Sequence, residues 1–141
     1  MNPDTQAIVD QLNANAPGII RSLGGVVLEI DPKAGSCLFQ FDIDESLCHS
    51  VNIVQGGIIA AMLDATMSHA TFGQQRDVIG LASLEIKVSF LEASHAGRFT
   101  CRGWIRRAGY KIGFLEGELY NAEGVLTATA STTAKFTRAR A

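Results

Sequence analysis

Apolar positions change their spacing three times along this chain. Over residues 4 to 13 they recur as Ile8, Val9 and Leu12, the spacing of one helical face, with Asp4 or Thr5 placed to cap the start and Pro17-Gly18 to stop it. A short leading helix, about residues 4–15, is expected. Val26, Leu28 and Ile30 then alternate, residues 31–35 supply turn chemistry, and Phe39, Phe41 and Ile43 alternate again, which predicts a β-hairpin. From Gln55 to about Phe72 a run rich in Ala, Ile, Met and Leu has no Gly or Pro after Gly56-Gly57. It predicts a helix of roughly 17 residues, about 25 Å long and apolar round most of its circumference.

Beyond the polar loop at residues 73–77 the period drops to two and stays there. Leu84, Ile86, Val88 and Phe90 are expected on one face of a strand. Phe99, Cys101 and Ile105 mark a second, residues 112–120 a third and residues 125–136 a fourth, and the segments between them carry the Gly or Asn that hairpin turns require. One apolar helix against an antiparallel sheet makes an α+β domain. Such a sheet has edges that need cover, and in so small a domain a second subunit is the natural cover, so a homo-oligomer is predicted.

Composition narrows the classes. The 141 residues fit one domain at the usual ~100–200 residues per domain, and 47% hydrophobic against 18% charged residues calls for a packed core. Twelve basic and fourteen acidic residues give a net charge of -2, with no broad footprint for nucleic acid. The apolar stretch at residues 58–63 falls far short of the ~20 needed to cross a bilayer, and residues 1–6 lack the basic start and apolar run of a signal peptide. A cytoplasmic protein with no membrane partner is expected. Cys37, Cys48 and Cys101 are odd in number and form no CxxC pair, so they read as reduced thiols. His49, His69 and His95 do not recur at i, i+4 in a helix, so no metal site is expected.

The chemistry-bearing segment runs from Cys48 to Asp64. Two glycines at a helix start, Gly56 and Gly57, leave backbone N–H donors unpaired where the macrodipole is positive, which suits an oxygen gaining negative charge. They also suit a plain turn into the helix, and spacing alone weighs the two readings equally. Asp64 follows seven nonpolar residues, where a carboxylate is costly unless paired or employed. It lies on the same helical face as Gly57, roughly 10 Å along the axis; a surface position on a polar stripe is the competing reading. His49 could hold a water or substrate, or be a solvated loop residue, and Gln55 could cap the helix or bond across a site. Arg102, Arg106, Arg107 and Lys111 make a local basic patch, either a solvated face or a grip for phosphate.

Val54-Gln55-Gly56-Gly57, then Met62-Leu63-Asp64, then Leu84-Glu85-Ile86-Lys87-Val88-Ser89-Phe90-Leu91 resemble the signature of the hotdog-fold acyl-CoA thioesterases of the phenylacetate-pathway (PaaI-like) type, in the 4-hydroxybenzoyl-CoA thioesterase superfamily. The likeness runs from about residue 24 to 136, so the chain reads as one hotdog domain behind its N-terminal helix. The resemblance implies a long central helix wrapped by a curved antiparallel sheet, and a homodimer, often a homotetramer, with active sites between subunits. It implies hydrolysis of an acyl-CoA to acid and free CoA without metal or other cofactor. The Gly56 N–H, with Gly57 beside it, would polarise the thioester carbonyl. Asp64 of the other subunit would be base or nucleophile, assisted by Ser83. Substrate contacts are expected at Gly57 and Asn52, and at Arg106, Arg107 or Lys111 for the CoA nucleotide. Three positions depart from the family pattern: Gln55 stands where His is usual, His49 where Asn or Gln is frequent, and Asn52 where Gly is frequent. Gln55 can still donate a hydrogen bond and His49 can order a water; the alternative is a hotdog module that binds an acyl ligand without turnover.

Overall fold

The computed structural model describes residues 1–140. The order is α1 (Pro3–Ala14), α2 (Gly18–Ser22), β1 (Val26–Asp31), β2 (Ser36–Ile43), a 3-10 turn (Glu45–Leu47), β3 (Cys48–Ser50), β4 (Ile53–Val54), α3 (Gly56–Gln74), β5 (Val78–Phe90), β6 (Gly97–Ala108), β7 (Ile112–Tyr120) and β8 (Leu126–Arg138). Six strands form one antiparallel sheet in the order β1-β2-β6-β7-β8-β5, while β3 and β4 pair separately. This is the α+β hotdog arrangement, with α3 against the concave face of the sheet. Among the described residues no helix is long and apolar enough to cross a membrane.

Helix α3 buries Ile59, Met62, Leu63, Thr66, Met67 and Ala70, positions three and four apart that make one continuous stripe. They meet Phe39, Phe41, Phe99, Leu115 and Leu119 from the sheet, all at or near zero exposure. Each such apolar side chain contributes about 1.5–3 kcal/mol. Thr66 sits in that stripe because its hydroxyl donates to the Met62 carbonyl at 2.8 Å. Close approach of helix to sheet depends on Gly103: a Cβ there would stand 2.8 Å from the Met67 nitrogen and the Thr66 carbonyl carbon. Cys37 and Cys101 lie in the same core; burial pushes both thiols up, Cys101 to about 12, and they serve as packing residues.

Leu84 does not share a face with Ile86, Val88 and Phe90. Ile86, Val88 and Phe90 lie opposite Thr132, Ala130 and Ala128, which are buried, whereas the register shifts between Ser83 and Glu85. Residues directly opposite on antiparallel strands share a face, so the bulge turns Ser83, opposite buried Ala134, toward the helix and leaves Leu84 58% exposed. Strand β5 also begins at Val78, earlier than the regular alternation suggests.

Candidate active site

The start of α3 is built by a short two-stranded ladder. Gln55 is the N-cap, with φ -57 and ψ 135; its N–H donates to the Leu47 carbonyl at 3.0 Å, and its own carbonyl accepts from Ile58 and Ile59 at 2.9 and 3.2 Å. Those bonds fix the first turn and leave the Gly56 and Gly57 N–H groups without a partner among the described residues. The Gln55 side chain makes no cap bond and is exposed. A cleft of about 440 Å³ opens over this helix start, lined by Gly56, His49, Ile59, Phe90, Leu91 and Ser94 among others. A Cβ on Gly56 would stand 3.3 Å from the Phe90 ring, while one on Gly57 would meet nothing within 4 Å. Gly56 and the Phe90 ring thus line the same space.

His49 reaches this cleft, with Nδ1 2.7 Å from the Ser50 hydroxyl and the ring exposed. Asn52 has φ 62, the left-handed conformation that glycine and asparagine adopt most readily. Its side-chain oxygen accepts the Ala96 N–H at 3.1 Å and its carbonyl lies 3.0 Å from His95 Nδ1. Asn52 therefore shapes the turn, and its carboxamide oxygen is already engaged there. Phe90 and Ser94 were not singled out from the sequence. Phe90 reads there as an ordinary strand residue; Ser94, 1% exposed and with its hydroxyl unpartnered, carried no local signal at all.

Two turns further along α3 stands the acid. Asp64 is half-buried, and Ser83 Oγ donates to its Oδ1 at 2.7 Å, a contact the β5 bulge makes possible. Gly57, Ala60, Asp64 and Ser68 are not fully buried, and their side chains are small. Eight residues separate Gly56 from Asp64, about 12 Å along the axis. A carbonyl oxygen within hydrogen-bond reach of one is beyond reach of the other. Arg106, Arg107 and Lys111 are exposed at the end of β6 and in the turn to β7, which is tied to the end of β8 by Phe136 N–H to the Lys111 carbonyl at 2.8 Å. Arg138, also on β8, donates to Gln75 at the end of α3 at 2.6 Å. The basic cluster thus lies at the opposite end of the helix from Gly56.

A sequence model of the thioesterase superfamily matches residues 52–128, from the turn before α3 into β8, and the chain belongs to that superfamily. A phenylacetic acid degradation-related protein from Ralstonia eutropha JMP134, provisionally designated a thioesterase, superposes with a TM-score of 0.82 at 30% identity over 91% of this chain and 98% of that one. The PaaI protein of the E. coli phenylacetic acid degradation operon superposes at 0.80 with 15% identity, covering 92% and 91% of the two chains, and shares the fold. A curated relative from Saccharolobus solfataricus, provisionally designated an esterase, is 26% identical over 122 residues, 86% of this chain and 85% of that protein. The chain is a PaaI-like hotdog thioesterase by family.

Proposed function

We propose that the protein is a cytoplasmic acyl-CoA thioesterase whose active site is completed by a second copy of the chain. The observation that carries this is the pair of half-sites on one helix: unpaired N–H donors at Gly56 over an apolar cleft, and a Ser83-bonded carboxylate at Asp64 about 12 Å on. Two copies joined antiparallel along the free edge of β5 run their α3 helices in opposite directions. The Gly56 end of one then faces the Asp64 face of the other, whose small side chains permit close approach.

In that shared site the thioester carbonyl oxygen accepts from the Gly56 N–H. As water attacks, negative charge grows on that oxygen, and a fixed donor at a helix start is worth about 3 kcal/mol to such a transition state. Asp64 takes the proton of the attacking water, or attacks the carbonyl itself, and Ser83 holds the carboxylate in place. Where Asp64 is the base, the tetrahedral intermediate collapses with loss of the CoA thiolate, which takes the proton from Asp64 and leaves acid and free thiol. Where Asp64 is the nucleophile, loss of the thiolate leaves an acyl-Asp64 anhydride that a water then hydrolyses, its proton going to the thiolate. Phe90 and Ile59 give the acyl side an apolar wall. The exposed Arg106, Arg107 and Lys111 suit the CoA phosphates, and pairing of dimers into a tetramer is compatible with the remaining free sheet face.

A thiol-release assay over aliphatic and aryl acyl-CoAs tests the reading. Asp64→Asn should lower kcat/KM by roughly 10²–10⁴, the span of a lost general base. Equal rates for the two proteins remove Asp64 from the chemistry. Saturable binding with no thiol released by the wild type identifies the non-catalytic acyl-binding module instead.

A further inference from the structure

Ser83 reaches Asp64 because β5 is bulged. In an unbroken strand Ser83 and Glu85, two residues apart, would point to the same face of the sheet. Here Ser83 lies opposite Ala134, which is buried, whereas Glu85 is exposed opposite Thr133, and the register shifts between them. A one-residue slip that removed the bulge would put Ser83 and Glu85 back on one face. Either Ser83 would then turn away from the helix, or Ile86 and Val88 would leave the face they share with Thr132 and Ala130.

Thr132 grips the strand at that point. The inward face of β8 runs Ala128, Ala130, Thr132, Ala134 and Phe136, all buried, and Thr132 is the one hydroxyl among the five. A hydroxyl taken out of water is costly unless it is bonded. Its Oγ1 donates at 2.6 Å to the carbonyl of Glu85, the first β5 residue paired after the shift. On the other face Thr133 Oγ1 donates to Glu85 Oε1 at 3.3 Å. Glu85 is thereby held from both faces of β8, where a bulge disrupts the regular ladder.

We infer that Thr132 is a positioning residue for thioester hydrolysis: its hydroxyl fixes the β5 bulge, the bulge sets Ser83 against Asp64, and Ser83 holds the carboxylate. The inference rests on the role of Asp64 proposed above. Thr132 itself bonds to neither group, its hydroxyl lying against the carbonyls of Glu85 and Thr133.

Thr132→Val keeps the side-chain shape and removes the donor. In the thiol-release assay kcat should fall roughly three- to tenfold, no further than in Ser83→Ala, with KM unchanged because the cleft at Gly56 is untouched. Thr132→Ser returns the hydroxyl and should return kcat. If Thr132 acts through Ser83, the double variant Ser83→Ala with Thr132→Val should be no slower than Ser83→Ala alone. Single effects that multiply in the double variant, or a Thr132→Ser enzyme as slow as Thr132→Val, overturn the inference. Where Thr132→Val does not fold, Thr132→Ala completes the same cycle, since β8 already carries alanine at the flanking inward positions Ala130 and Ala134. The amide ¹H and ¹⁵N resonances of Ser83 and Glu85 report the bulge without turnover. They should move in Thr132→Val and hold in Thr132→Ser. Resonances that stay put in Thr132→Val overturn the inference and leave the reading of Asp64 standing. Moved resonances beside an Asp64→Asn protein as active as wild type overturn that reading and the positioning role with it.

Discussion

The two edge strands of the sheet meet their surroundings in different ways. Strand β1 is six residues long and irregular between Val27 and Glu29. The Asn13 side chain on α1 closes its outer backbone: Val27 N–H donates to Asn13 Oδ1 at 2.8 Å, and Asn13 Nδ2 donates to the Val27 carbonyl at 3.0 Å. Strand β5 at the other end runs thirteen residues, pairs only with β8, and shows Leu84, Ile86 and Phe90 at 58, 38 and 55% exposure. An edge that is long, apolar and uncovered templates pairing with another chain, and natural proteins blunt those not meant to pair. One edge here is blunted and the other is not. Asp64 sits against the open one, through Ser83.

The largest effect should come from closing that open edge. Leu84→Arg with Ile86→Arg brings like charges together across a two-fold axis; sedimentation should show a monomer, and thiol release should fall to background. A variant that is monomeric and fully active breaks the comparison outright. Next is Gly56→Pro. Proline is tolerated at the first helical position and demands an extended residue before it, which Gln55 at ψ 135 already is. The helix should survive while kcat/KM drops roughly 10²–10³ for want of one donor. Ser83→Ala should cost roughly tenfold in kcat with KM unchanged, the scale of one hydrogen bond to a carboxylate. The smallest effect belongs to the blunted edge: Asn13→Ala should lower stability to denaturant by about 1–2 kcal/mol and leave oligomeric state and kcat/KM as they were.

Much of this was legible in the chain. Helix α3 declares itself by a long apolar run between Gly56 and Gly73, and β7 by clean alternation, because both depend on periodicity that stays in register. Gly56 and Asp64 stood out for a related reason: two glycines and one carboxylate interrupt an otherwise apolar segment. The contact between Asp64 and Ser83 is non-local, nineteen residues apart in sequence, and came only through family resemblance. The face of Leu84 was misread because a bulge is a one-residue event, fixed by pairing with β8, and it inverts every later parity without altering composition. The Asn13 lock on β1 and the buried hydroxyl of Ser94 are tertiary facts with no local signature.

If donor and acid act across two copies of the chain, mixing two defective subunits should restore activity. Asp64→Asn and Gly56→Pro chains should each be nearly inactive alone. Unfolded together, refolded and remixed, they form heterodimers in which one site takes Gly56 from the first chain and Asp64 from the second, while the other site lacks both. Random pairing should restore about one quarter of wild-type activity, since half the dimers are mixed and half their sites are intact. A mixture in which mixed dimers form and no activity returns would place Gly56 and Asp64 in the same chain's site and contradict the account.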